Sequence, residues 1–339
     1  MSLELLDFMK IENSQLVKLL VSDVAKKNIC DGHLYLSVGE RKFYLMKPGV
    51  FVDPDFIKKQ AINNHEFDFQ PVVDEVAKEQ FKKHFNELKA MKLEKELRAK
   101  CTEILSYFCA VYSTEAHFLS FAMACYEEFC ELPIPQQLMM HETDMYLFRK
   151  SFYSAAFSIL VGISNDFYHF PMLRDFYNVT FSLDIGLCEI SYSYFVAEAC
   201  NLESRMPGSG RGYLENEKAT ELEKDTFIAH PEKSYEMLKS LNILNFPELA
   251  EAVLFQHELS NGSGFPRGVF KAQVSTWEAV IIFSDAIVEI LPEYNFETNV
   301  MEFLTGFKSR KLLELPVSKV FRRLFFTLEH FKKIKDTGT

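Results

Sequence analysis

At 339 residues the chain is long enough for one large domain or two ordinary ones, and its net charge of −11, with a pI near 5.4, excludes a nucleic-acid polymer as a bulk partner. Binding a phosphate backbone needs an excess of Lys and Arg, although a net count leaves room for a small anionic ligand in a local basic pocket. Hydrophobic residues make up 48%, with 33 Phe and 14 Tyr among them, which excludes general disorder.

The seven cysteines, at positions 30, 101, 109, 125, 130, 188 and 200, contain no C-x-x-C pair. Several lie in apolar helical stretches where Cys acts as a small hydrophobe, so reduced buried thiols in a cytoplasmic protein are expected. The start of the chain does not resemble a secretory leader, and no apolar run approaches the length of a membrane span.

Residues 1–95 predict a small α+β unit. HLYLSVG (33–39) and KFYLMKPGVFV (42–52) carry β-branched and aromatic residues on either side of the polar break GERK, the spacing of a hairpin. Asp53 and Asp55 flank Pro54 ahead of FIKKQAI, a helix start with proline in the first turn. FDFQPVV (67–73) is expected to be a third strand, with Pro71 placing it at a sheet edge. From Asp74 onward the apolar spacing changes to three and four residues, and the charged stretch up to about residue 95 predicts a solvated helix linking two units.

Residues 96–339 keep that helical spacing. The strongest predicted helices are LRAKCTEILSYFCAVY, EAHFLSFAMACYEEFCEL, the stretch around FYSAAFSILVGI, ELAEAVLFQH and WEAVIIFSDAIVEIL. MPGSGRG (206–212) interrupts them; it lacks the Lys-Ser/Thr of a P-loop and follows no strand, so it is expected to be a surface connection. The fold class is therefore mainly α, a helical domain preceded by a small α+β unit.

Three segments and one lone acid carry the chemistry. LDIG (183–186) sets Asp184 between apolar neighbours, and IIFSDAIVEI does the same for Asp285. A buried carboxylate is expensive unless it is paired or bound to metal. HPEKSYEML (230–238) places His230 ahead of Pro231, and QHELSNGSGFPRG (256–268) joins Gln256 and His257 to a glycine-rich loop. In that loop Asn261-Gly262 and Gly264-Phe265-Pro266 specify a compact turn. Singly, each has a plainer reading: His230 as a helix start, His257 as a favourable group at a helix end, Phe265 as the hydrophobic anchor of a surface loop.

Together these segments resemble the HD-GYP family, bacterial metal-dependent hydrolases of the messenger cyclic di-GMP, over roughly residues 140–295. The resemblance implies a helical HD-type domain and a centre of two divalent cations, about four ångströms apart, bridged by a carboxylate and a hydroxide. Carried over residue by residue, the family's early His falls on Lys150 and its His-Asp pair on Leu183 and Asp184. The phosphate-side lysine falls on Leu187, the His before Pro on His230, the His-His pair on Gln256 and His257, and the last Asp on Asp285. The family's Asp-Gly step becomes Asn261 and Gly262, and its Gly-Tyr-Pro becomes Gly264, Phe265 and Pro266, followed by Arg267.

The resemblance thus implies metal ligands at Asp184, His230, His257 and Asp285, and lost groups at Lys150, Leu183, Leu187 and Gln256. Losing one well-placed electrostatic group typically costs about a hundredfold or more in rate, so a catalytically impaired signalling protein is expected. Its partner would be a diguanylate cyclase, another signalling protein or cyclic di-GMP, met by the loop residues Asn261, Gly262, Gly264, Phe265, Pro266 and Arg267. The alternative is a residual phosphodiesterase holding one divalent metal (iron, manganese or zinc) on Asp184, His230 and His257, with Gln256 or water completing the shell, whereas a pure adaptor would hold none. Lys150, pointing inward, would put an ammonium where a cation belonged and pair with Asp184 or Asp285, at the cost of burying ions.

Overall fold

Ahead of Asp74 the backbone is largely extended, and after it almost wholly helical. The computed structural model describes residues 16–38, 41–61, 66–111, 115–143, 145–189, 220–270, 274–290 and 317–337. Strands β1 (Val17–Leu20), β2 (Gly32–Val38), β3 (Arg41–Met46) and β4 (Glu66–Pro71) form an antiparallel sheet in the order β1-β4-β2-β3.

The expected hairpin is β2 with β3, paired from Leu34 opposite Met46 to Val38 opposite Arg41. β4 departs from expectation, since it is an inner strand lying between β1 and β2. Pro71 is tolerated there because it is the last residue of β4, opposite Gly32, where the ladder ends. The edge is instead β1, four residues that are mostly exposed and give little periodic signal.

A single turn, α1 (Val21–Val24), and α2 (Pro54–Gln60) close over this sheet. Asp53 caps α2 by accepting from the Asp55 amide at 2.8 Å, with Pro54 in the first turn. Leu34, Met46, Ile57, Phe67 and Phe69 meet in a small apolar cluster of their own.

The helices that follow are α3 (Glu75–Ala90), α4 (Glu94–Val111), α5 (Glu115–Phe129), α6 (Ile134–Thr143), α7 (Met145–Ser164), α8 (Phe170–Phe181), α9 (Glu221–Leu241), α10 (Thr276–Ile290) and α11 (Ser318–Thr337). Asp74 caps α3, its carboxylate accepting from the Val76 and Ala77 amides at 3.0 and 3.1 Å. Though expected as a solvated link, α3 buries Phe81, Phe85 and Leu88 in the larger core, where Phe85 meets Phe129 edge-on at 4.9 Å. Its charges occupy only the opposite face, as helical spacing allows.

Helix α7 is the axis of this core, packing against α5, α6, α8 and α10. Its stretch from Leu147 to Ile163 is buried throughout, so the polar groups it carries must find partners inside. The expected α-helix ELAEAVLFQH winds instead as a 3-10 helix over Pro247–Phe255. Its entry is pinned by buried Asp175, whose carboxylate accepts from the Asn245 and Phe246 amides at 3.1 and 2.7 Å.

The chain is mainly helical after a small four-stranded sheet, as its composition and periodicity predict. Among the described residues no helix is long and apolar enough to cross a membrane, and Cys30, Cys101, Cys109, Cys125, Cys130 and Cys188 are free thiols. The glycine-rich stretch 206–212 lies outside the described residues.

Candidate metal centre

Five elements converge on one buried spot. Helix α7 brings Lys150 and Ser154, the turn after α8 brings Asp184, α9 brings His230, the end of the 3-10 helix brings Gln256 and His257, and α10 brings Asp285. Asp184 reaches His230 because the short 3-10 helix Ile185–Glu189 lies directly on α9. A Cβ on Gly186 would sit 2.5 Å from the His230 carbonyl oxygen, and the Gly186 amide donates to Ser234 Oγ at 2.8 Å, so only glycine permits this approach.

Lys150 points inward. Its ammonium lies 2.7 Å from Asp184 Oδ2 and 3.0 Å from Asp285 Oδ2, and all three residues are buried. Ser154, one turn further along α7, donates to Asp285 Oδ1 at 3.4 Å. Burial by itself would raise the Asp184 pKa, but the Lys150 ammonium beside it holds its carboxyl well below the usual carboxylate range. One ammonium thus serves two carboxylates, with Asp184 presenting its other oxygen to the histidines.

His230 does not start a helix. Pro231 sits inside α9, and the His230 ring is fully buried. Proline has no N–H to give to the carbonyl four residues back, which here is that of Phe227. The His230 Nδ1–H donates to that released carbonyl instead. Nδ1 therefore carries a proton, and Nε2 is the ring atom left to face a metal. That Nε2 lies 3.4 Å from Asp184 Oδ1 and 3.2 Å from His257 Nε2, and accepts from the Gln256 side-chain amide.

Asp184, His230 and His257 each direct a ligand atom into a common space, all within 4.8 Å of one another and all buried. Electron-rich atoms crowded together out of water call for a shared cation, and two imidazoles with one carboxylate suit iron, zinc or manganese. A second sign is Gln256 Oε1, which is buried and has no hydrogen-bond partner among the described residues. The donor set fits one divalent cation. Asp285, the fourth expected ligand, is not one of the three groups within 4.8 Å of one another, and it pairs with the Lys150 ammonium.

The loop after His257 roofs the centre. His257 and Phe265 form an antiparallel bridge, and their rings stack at 4.7 Å with 22° between planes. Phe227 packs against both rings. A Cβ on Gly264 would lie 2.4 Å from the His257 carbonyl oxygen, so glycine is required for the loop to fold back this closely. Asn261 Oδ1 accepts from the Ser263 amide at 3.0 Å, closing the tip.

Glu258 has no candidate role in the sequence and proves to be the organiser of this loop. Fully buried, it accepts from the amides of Arg267, Gly268 and Val269 at 2.7, 2.9 and 2.9 Å. A lone carboxylate inside a glycine-rich turn is the signal that could have found it, since buried acids need donors. Arg267, by contrast, is exposed, with its guanidinium over the Phe255 ring at 5.8 Å, outside the buried cluster. Leu183 and Leu187 are buried as plain core residues.

No protein-family model and no curated protein matches the chain. Among solved structures it is similar to "Bd1817, a HDG"Y"P protein from Bdellovibrio bacteriovorus", with a TM-score of 0.38 and 12% sequence identity over 93% of this chain and 99% of that one. A likeness that distant carries neither a fold assignment nor a function.

Proposed function

We propose that the chain is a degenerate HD-GYP-like signalling protein, impaired in hydrolysis, that acts by binding a protein partner or cyclic di-GMP. The observation that carries this reading is Lys150, whose ammonium sits between Asp184 and Asp285 at 2.7 and 3.0 Å. Two-cation hydrolysis needs an exchangeable metal among such carboxylates, one that binds water and polarises a phosphate oxygen. An ammonium tethered to α7 balances the charge and does neither. Leu183 and Leu187 add no imidazole and no cation where the family's pattern places them, and both are buried.

One divalent ion, whether iron, manganese or zinc, would be held by Asp184, His230 and His257, and when bound would supply Lewis-acid chemistry and a fixed charge beneath the loop. The protein's own residues do the rest. Lys150 keeps Asp184 ionised and aimed, the Phe227 carbonyl orients His230, and Phe265 shields His257. A roof this close favours a site that shapes the loop over one that turns over substrate. We assign partner contact, with a diguanylate cyclase or another signalling protein, to the outer loop around Asn261, Ser263 and Arg267, which are exposed.

A second reading, a residual cyclic di-GMP phosphodiesterase on the reduced metal site, is favoured by the convergence of Asp184, His230 and His257 within 4.8 Å. The test compares metal content, cyclic di-GMP binding and its hydrolysis for the wild-type chain and a His230→Ala/His257→Ala variant. Under the lead reading no cleavage rises above background in either protein. Metal-dependent cleavage that disappears in the double variant would overturn it in favour of the residual enzyme.

A further inference from the structure

The least satisfied group in the centre is the Gln256 side chain, and its two ends are in opposite condition. Its Nε2 donates to the His230 Nε2 lone pair, while its Oε1 is buried with no hydrogen-bond partner among the described residues. His230 gives its Nδ1 proton to the carbonyl that Pro231 releases, so the ring meets the Gln256 amide through Nε2, the atom it would offer to a cation. In this arrangement the amide stoppers the lone pair that a cation would need.

A cation entering among Asp184, His230 and His257 takes that lone pair. The amide N–H then loses its acceptor and faces a positive charge, which is unfavourable, whereas a half-turn of the terminal amide brings Oε1 to the same place. The exchange costs little in shape, since the two ends of the amide are nearly equal in size. It also satisfies the buried oxygen that is otherwise left bare.

We propose that Gln256 is a ligand of the bound cation through Oε1, completing a set of two imidazoles, one carboxylate and one amide oxygen. This rests on the one-metal reading given above. Charge supports a neutral fourth ligand: two carboxylates, one ammonium and a dication leave a single surplus positive charge, which an amide dipole eases without another buried anion. The carbonyl-type oxygen favours manganese, iron or zinc over softer ions.

The test titrates Co²⁺, as a spectroscopic probe, into metal-free full-length chain and follows affinity and the visible ligand-field bands. Wild type is compared with Gln256→Leu, which lacks both amide ends, and with Gln256→Glu, which keeps an oxygen at the same reach. If Oε1 ligates, Gln256→Leu weakens binding by about tenfold or more and alters the bands, while Gln256→Glu binds as tightly as wild type or tighter. If Gln256 is only a stopper on His230, Gln256→Leu binds Co²⁺ more tightly and Gln256→Glu keeps no special place, and the proposal falls. Equal affinity and identical bands in all three proteins also overturn it while leaving the metal site standing. A wild-type chain that takes up no cation overturns both. The Glu variant preserves shape and guards against a Leu variant that fails to fold.

Discussion

Lys100 and Lys150 each bridge two carboxylates, and together they show how little a charge pattern says without burial. Lys100, on α4, meets Glu87 at 2.6 Å and also Glu103, and its side chain is only 9% exposed, but the two glutamates are 39% and 54% exposed. Lys150, on α7, meets Asp184 and Asp285, and side-chain exposures there are 7%, 4% and 6%. Around Lys100, water takes over either glutamate if the pair opens. Around Lys150 nothing does, so each ion holds the others hostage. Exposed ion pairs contribute about 0–1 kcal/mol, whereas breaking a buried one by removing a partner costs about 3–5 kcal/mol.

The largest expected effect tests that contrast directly. Lys150→Met should destabilise the chain by about 3–5 kcal/mol in urea unfolding, and Lys100→Met by about 1 kcal/mol or less. Adding Asp184→Asn and Asp285→Asn to Lys150→Met removes the uncompensated charges and should recover much of the loss. Equal costs for the two lysines, or no recovery, would break the comparison.

A steric probe comes next. Gly186→Ala puts a methyl 2.5 Å from the His230 carbonyl oxygen, and overpacking of this kind costs about 1–3 kcal/mol. Alongside lost stability, the variant should bind metal more weakly, because Asp184 can no longer close on His230. Unchanged affinity with lowered stability would show that the approach of these elements does not set the site.

Smaller effects belong to the solvated cluster. The hydrogen bond from Lys100 holds the Glu87 carboxyl below the usual carboxylate range. A folded-state pKa lowered from the unfolded value of about 4.3 gives stability that is present above that value and lost as pH falls through the folded one. The stability difference between wild type and Glu87→Gln should therefore be flat from about pH 8 to 5 and shrink below about pH 4. A difference that grows on acidification would contradict the pairing. Smallest of all, about 1 M salt, which screens exposed charges within about 3 Å, should erase the Lys100→Met effect and leave that of Lys150→Met nearly intact.

Much of the architecture is legible because its causes are local. Asp53 with Pro54 announces a helix start and does cap α2, while the change of spacing at Asp74 marks the start of α3, which Asp74 proves to cap. Where the reading failed, a distant partner had the deciding say. Pro71 suggests an edge, but β1 adds beyond β4, and proline at a strand's last residue costs the ladder nothing. Pro231 suggests a helix start, yet α9 runs through it, since the His230 ring replaces the missing N–H at the Phe227 carbonyl. That replacement was within reach of the sequence, as histidine and proline adjoin and the carbonyl lies only a turn away.

By itself the sequence determined which residues had to be accounted for: acids set in apolar runs at Asp184 and Asp285, a His-Pro step, and a loop rich in glycine after Gln256 and His257. Those requirements come from the expense of burying a charge and from backbone sterics, both readable in a few neighbouring residues. Only the tertiary structure decided how the requirements were met. It set Lys150 between two acids from other elements, brought Asp184, His230 and His257 to one point, and turned Glu258 into the anchor of the roof. Pairings of this kind depend on the relative placement of helices packed around α7, and no local rule of the chain contains that placement.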